Sequence, residues 1–422
     1  MKKPVADHHY HYPDPERRQL LRFIGMGAIG GALGNIGGVA EADQNRLHRR
    51  ANSTTKPGAD SDRILVVIEL NGGNDGLNTL VPYGHGNYYD ARKALGIQPD
   101  AVIPFDGSFG LNAALAGLHQ RGLSVMQGIG TTTSPNLSHF QMQDRWYRGD
   151  IDGTYTGETG FLGRCCDAVK GDSVVTGLSL EYTQSPIIVA KQARTATLGS
   201  LEGATALFAK ENALLPDGIA AIHKARTEQL SSLFGTAREA MRDMVILSNF
   251  LRGVAAPSKG YPDTTLGEKL AVVSRIIRTN GGVRVFHVPY GDFDTHTSQG
   301  NKHTPLLKQL NDATSVFLDD MQASGYGDKV LIATISEFGR RVQENDSGTD
   351  HGNGSVAMMA GPVIAGLHGE APSLRNLDAD GNLKPTTSYG DYYATLAAWL
   401  GVSDIVLGSP LPLLASATQA NS

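Results

Sequence analysis

The chain has very little cysteine. Two residues in 422, Cys165 and Cys166, stand side by side, and neighbours can bridge only through a strained ring. A disulfide framework is thereby excluded, and the fold has to rest on a large apolar core. An excess of basic residues is missing too: 37 Lys and Arg stand against 42 Asp and Glu, a net charge of −5. Such a chain has no basic stripe to neutralise a phosphodiester backbone, which argues against a nucleic-acid partner. No phosphate-cradling loop is present, since the Gly-Lys-Ser/Thr ending and the dinucleotide glycine spacing are both lacking. No internal repeat is visible. The uncharged run Phe23–Ala40 carries so many glycines that it makes a poor transmembrane helix.

What precedes that run gives it a meaning. Arg17 and Arg18 are followed by Gln19, Leu20, Leu21 and Arg22, the order of a twin-arginine signal peptide. Ala40-Glu41-Ala42 offers the small residues that a signal peptidase reads, placing a cut after Ala42, with Ala40 as the alternative. Residues 1–42 are therefore expected to be removed, and a retained membrane anchor is the rival reading. The twin-arginine translocase is the export partner, and the mature protein is periplasmic or secreted with no stable membrane span. His8, His9 and His11 resemble a metal cluster but lie upstream of the cut. Its removal takes away five basic and four acidic residues, leaving 32 against 38 and a net charge of −6. Residues 43–62 are polar, without apolar period, and read as a tether.

About 380 residues remain, enough for one large domain with insertions or for two. The run Ile64, Leu65, Val66, Val67, Ile68 marks a strand covered on both faces. Similar runs recur at Leu123–Met126, Val283–Val288, Val330–Ile335 and Val356–Ala360, with helical patterns at Thr304–Ser324 and Ser388–Leu400 between or after them. Strands alternating with helices imply a three-layer αβα sandwich on a mostly parallel sheet. Residues 151–280, loop-rich and then helical from Leu214 to Arg252, read as a cap or insertion on the domain 63–422.

Polar residues follow these strands, at the edge where open α/β sheets bind ligands. After the first comes Asn71-Gly72-Gly73-Asn74-Asp75-Gly76-Leu77-Asn78, a tight turn that offers the Asp75 carboxylate to a metal or else is a plain Gly-Asn-Asp turn. Ser138-His139-Phe140-Gln141 opens a helix running to about Tyr147. Ser138 fits a capping box with Gln141, or is a hydroxyl activated in the positive field of a helix start. Asp294 and His296 stand two apart, so in extended chain they point to one side and can share a metal ion. Ser336-Glu337-Phe338-Gly339-Arg340-Arg341 follows the strand Val330–Ile335, and Asp350-His351-Gly352 comes after it. Glu337 can ligate a metal, His351 supplies an imidazole on a loop, and the arginines can clamp an oxyanion or form a surface ion pair.

Together Gly72–Tyr83, Ser138–Asp144, Asp294-Thr295-His296, Ser336–Arg341 and Thr349–Gly352 resemble the twin-arginine-exported bacterial proteins of domain-of-unknown-function family 1501. That family in turn looks like a branch of the alkaline phosphatase-like superfamily, whose members hold one or two metals at the C-terminal edge of a sandwiched sheet and hydrolyse phosphate or sulfate esters. The resemblance implies metal ligands Asp75, Asp294, His296, Glu337 and His351. It places Ser138 in the region of the nucleophile and gives Arg340 or Arg341 the developing negative charge. Phe338 stands where the superfamily motif carries a ligand His, and no Cys-x-Pro-x-Arg sulfatase signature occurs. The expected function is an exported metal-dependent hydrolase of small anionic phosphate or sulfate esters. Mixed N and O ligands favour Zn or Mn over Ca. The alternative is a non-catalytic periplasmic binding or accessory protein on the same fold.

Overall fold

The computed structural model describes residues 62–131, 137–171, 173, 175–199 and 260–415. The expected signal peptide, nearly all of the expected tether and the helix expected at 214–252 lie outside the described residues. No helix among the described residues is long and apolar enough to cross a membrane.

The strands in chain order are β1 (Ile64–Leu70), β2 (Leu80–Val81), β3 (Val102–Pro104), β4 (Gly110–Asn112), β5 (Ser124–Gly130), β6 (Gly177–Ser179), β7 (Thr195–Thr197), β8 (Val285–Tyr290), β9 (Val330–Ile335), β10 (Gly339–Glu344), β11 (Thr349–Gly352), β12 (Ser355–Ala360), β13 (Gly366–His368) and β14 (Thr387–Ser388). Nine of them form one sheet in the order β13-β5-β12-β9-β1-β8-β6-β7, with β14 paired to β5. β1 lies at its centre, parallel to β8 and β9, with Val66 opposite both Phe286 and Ile332. β12 is the antiparallel member, between β5 and β9. β10 and β11 make a separate hairpin, and β2, β3 and β4 a small third sheet.

The apolar run of β1 is buried on both faces, and its alternation assigns each side chain to a layer. Ile64, Val66, Ile68 and Leu70 face one core, shared with Leu115 and Leu118, with helix α6 (Thr265–Arg278) through Leu270, Val273 and Ile277, and with helix α7 (Gln299–Ala323) through Leu307, Leu310 and Phe317. Leu65 and Val67 face the other, closed by α4 (His139–Arg148), α5 (Phe161–Val169) and α8 (Tyr389–Trp399) through Trp146, Phe161, Tyr389 and Tyr393. Three short helices complete the set: α1 (Gly76–Thr79), α2 (Gly86–Ala91) and α3 (Ala116–Gln120). Each fully buried Leu, Val or Phe contributes about 1.5–3 kcal/mol. Cys165 and Cys166 are free and buried in the second layer.

This is the three-layer, mostly parallel α/β architecture expected. One boundary differs. The stretch beginning at 151, read as a cap, supplies α5 to a core layer and β6 and β7 to the main sheet. These strands have three residues each, too short for an apolar run to show in the sequence.

Candidate metal centre

Four segments meet at the C-terminal edge of the sheet: the turn after β1, the loop after β8, the segment from β9 through the β10–β11 hairpin, and the start of α4. Glycine makes the meeting close. Gly72 and Gly73 have φ of +107° and +83°, and a Cβ at Gly72 would stand 2.3 Å from Asp294 N, one at Gly73 2.2 Å from the Phe338 ring. An L side chain at either position is both strained and obstructed.

Asp294, His296 and His351 come together here as the sequence suggested. His351 Nε2 is 3.3 Å from Asp294 Oδ1 and 2.9 Å from His296 Nε2, and His296 Nε2 is 3.1 Å from the same carboxylate oxygen. His139, which sequence reasoning passed over in favour of Ser138, is the third ring, with Nε2 3.4 Å from Asp294 Oδ2. One ligand atom each from His139, Asp294 and His351 lies within 4.8 Å of the others.

The opposite ring nitrogens determine what these atoms can do. His351 Nδ1 is 2.7 Å from the Leu137 carbonyl, His296 Nδ1 is 3.2 Å from Asp350 Oδ1, and His139 Nδ1 is 3.0 Å from Glu337 Oε1. A carbonyl or carboxylate oxygen only accepts, so a proton on each Nδ1 satisfies that contact and leaves each Nε2, which faces the Asp294 carboxylate, to offer a lone pair to a cation placed between them. This is the outer arrangement of metal-binding histidines. A tetrahedron with bonds of about 2.1 Å has edges of about 3.4 Å, close to the Nε2-to-oxygen separations here.

Glu337 is not placed as a direct neighbour of Asp294. Its Oε1 accepts from Gly72 N at 2.8 Å and meets His139, while its Oε2 is buried with no hydrogen-bond partner among the described residues. An orphaned carboxylate oxygen on the residue that holds the His139 ring fits a site built for a cation. Burial works to raise the Asp294 carboxyl, yet the Arg340 hydrogen bond and charge outweigh it and hold it below its usual value. Burial and the Arg340 charge likewise keep the His351 ring below the ordinary imidazole value, whereas the Glu337 hydrogen bond raises His139.

The remaining expected site residues take other places. Asp75 lies apart from the histidines: its Oδ1 caps α1 by accepting from Leu77 N and Asn78 N, and its Oδ2 holds Arg92 Nη1 at 2.6 Å and Gln299 Nε2 at 2.5 Å. Four donors saturate a fully buried carboxylate, which makes it a structural ion pair. Arg340 is turned into the protein. It is fully buried and committed to the carbonyls of Gly73, Thr349, Gly72 and Phe293 and to Asp294 Oδ1, so it braces the turn and has no donor face for substrate. Arg341, its neighbour on β10, points to the other side, where its charge is felt by Asp350 and Asp378. Ser138 adopts extended backbone ahead of α4, is exposed, and makes no side-chain capping bond. The capping box is therefore not formed, and Ser138 is an exposed residue next to His139 in the chain.

Phe338 walls the cluster, its ring centroid 4.2 Å from His351 and 4.9 Å from His139. His139, the first residue of α4, thus lies against the Phe338 ring. That helix is tied to the sheet at its far end, where Tyr147 donates to Glu69 Oε1 at 2.7 Å while Glu69 Oε2 meets His287 Nε2 at 2.8 Å.

Among solved structures the chain is similar to a sulfatase from Pseudoalteromonas sp., at 11% identity and TM-score 0.37 over 94% of this chain and 75% of that one. A protein in the alkaline phosphatase superfamily from Vibrio parahaemolyticus matches at 11% identity and TM-score 0.38, covering 90% and 79%. A phosphonate monoester hydrolase from Silicibacter pomeroyi matches at 11% and 0.36, covering 83% and 76%. No curated protein sequence gives a significant match. The family model described as "Protein of unknown function (DUF1501)" matches residues 120–404, which include every histidine of the cluster, and the chain belongs to that family.

Proposed function

We propose that the protein is a metal-dependent hydrolase of phosphate or sulfate esters, with a divalent ion held by His139, His296, His351 and Asp294. The observation that carries this is the set of three imidazoles whose Nδ1 atoms are each tied to an acceptor while their Nε2 atoms converge on one carboxylate. Three imidazoles and one carboxylate suit Zn, leave Mn as second choice, and suit Ca least. Such an ion, when bound, supplies Lewis-acid stabilisation of an ester's oxyanion and a more acidic water. Asp350, Glu337 and the Leu137 carbonyl orient the rings. Arg340 fixes Asp294 and the glycine turn, and Ser138 supplies a hydroxyl at the open face. The small anionic ester class rests on the motif resemblance joined to this donor set.

The commitment of Arg340 to protein carbonyls supports a second reading, a binding or accessory protein, because that guanidinium cannot hold charge developing on a substrate. One experiment separates the two. Purified mature protein is assayed for metal by mass spectrometry and for release of 4-nitrophenol from its phosphate, its phosphodiester and its sulfate. Near-stoichiometric metal with turnover supports the enzyme, metal without turnover supports the binder, and metal-free inert protein sinks the enzyme.

Export by the twin-arginine route belongs to the same proposal. Replacing Arg17 and Arg18 together by Lys keeps the charge and loses the guanidinium geometry, so the precursor should stay in the cytoplasm. Wild-type levels outside it would refute the route.

A further inference from the structure

A cavity of about 440 Å³ opens beside α1 and α2, and no residue of the histidine cluster lines it. That volume lies within the range of small-molecule sites. Leu77, Leu80 and Val356 give it apolar walls, and at its rim stand Arg375 and the His85 ring, the latter 5.2 Å from Phe109. The Arg375 guanidinium gives one hydrogen bond, Nη2 to Asn87 Oδ1 at 3.0 Å, and its other donors are uncommitted among the described residues. None of the twenty lining residues is Asp or Glu, although the whole chain is acidic with a net charge of −5. A concavity with one cation, an imidazole and no carboxylate selects anions against the sign of the whole molecule. Its walls select an apolar body.

We propose that this pocket binds a small organic carboxylate with an apolar body, its head paired with Arg375 beside His85 and its chain among Leu77, Leu80 and Val356. Guanidinium and carboxylate match in a two-pronged geometry that an alcohol or amide lacks. The site is independent of the metal centre, so its fate and that of the ester-hydrolase reading are separable.

The test is calorimetric titration of the full mature chain with octanoate, octanamide and acetate. Octanoate should bind, with octanamide and acetate each weaker by about tenfold or more. Arg375→Ala should weaken octanoate about tenfold. Gly86→Trp gives a second arm, because a Cβ at Gly86 meets nothing within 4 Å and the residue lines the cavity; this ring should occupy the cavity and abolish binding without disturbing the fold. Chelation of divalent metal should change nothing. The proposal is overturned if octanoate does not bind at millimolar concentration, if octanamide equals it, if either variant binds as the parent does, or if a chelator removes binding and so places the carboxylate on the histidine cluster.

Discussion

His296 Nε2 and His351 Nε2 lie 2.9 Å apart, with each ring's Nδ1 turned to an oxygen acceptor. Two lone pairs cannot rest at that distance unless a proton or a cation lies between them. A shared proton leaves one ring charged beside Asp294; a cation gives the two lone pairs a common partner, next to the His139, Asp294 and His351 atoms that lie within 4.8 Å of one another. The chemistry of the site turns on this choice.

The metal alternative makes His139 as important as His351. Either residue replaced by Ala should reduce metal affinity by more than the ten- to hundredfold typical of outer partners. The circular dichroism spectrum should be retained, since both rings are partly exposed at the sheet edge. Metal content after dialysis is the readout. Full metal in both variants would show that the rings share a proton instead.

Glu337 reaches the site through His139 and the Gly72 amide. Glu337→Gln keeps the size and, with its amide oxygen in the Oε1 position, keeps an acceptor for both the Gly72 N–H and the His139 Nδ1–H, but it removes the negative charge behind the His139 ring and puts an N–H2 in place of the unpartnered Oε2. Metal affinity should fall by about ten- to hundredfold, measured by competition with a chelator. Unchanged affinity would confine Glu337 to bracing the turn.

The central sheet was legible because β1, β8, β9 and β12 are runs of apolar residues buried on both faces, a signal carried by each run itself. β6 and β7 were hidden because three residues carry no period. In the site, Asp294, His296 and His351 could be found because metal-binding residue types cluster after strands. His139 was overlooked because the adjacent Ser138 fitted a capping box, which directed attention to the hydroxyl rather than the ring. The roles of Asp75 and Arg340 depend on partners far along the chain. Arg92 and Gln299 saturate the first, and four carbonyls with Asp294 enclose the second. No local pattern announces such partners.

Asp75 gives the reverse test to His139. Its carboxylate and the Arg92 guanidinium are both fully buried, and burial of the acid is outweighed by the Arg92 charge, which keeps it ionised below its usual value. Removing one partner of a buried pair leaves an uncompensated charge and costs about 3–5 kcal/mol. Asp75→Ala should therefore lose stability of that order in urea unfolding, while the fraction that remains folded keeps its metal. Loss of metal without loss of stability would return Asp75 to the ligand set.

His303 sets an acid limit on the fold. The ring is fully buried on α7, with Nε2 3.0 Å from Asn74 Oδ1, and burial pushes it from the ordinary 6.5 down to about 4. Nδ1 is then the acceptor and Nε2 the donor to an amide oxygen. In the unfolded chain the ring takes up a proton near 6.5, but in the folded chain only near 4, so the unfolded state binds more protons between those values. Stability must fall as pH drops through that window, by up to about 1.4 kcal/mol per unit from this residue, and above about pH 7 the contribution is flat. His303→Gln keeps an N–H donor for Asn74 and has nothing to titrate. Urea midpoints from about pH 7 to pH 5 should decline less steeply in the variant. Carboxylates that protonate in this range do so in both proteins and cancel in the comparison. Parallel declines would mean that the buried ring takes up its proton in the folded state as readily as in the unfolded chain.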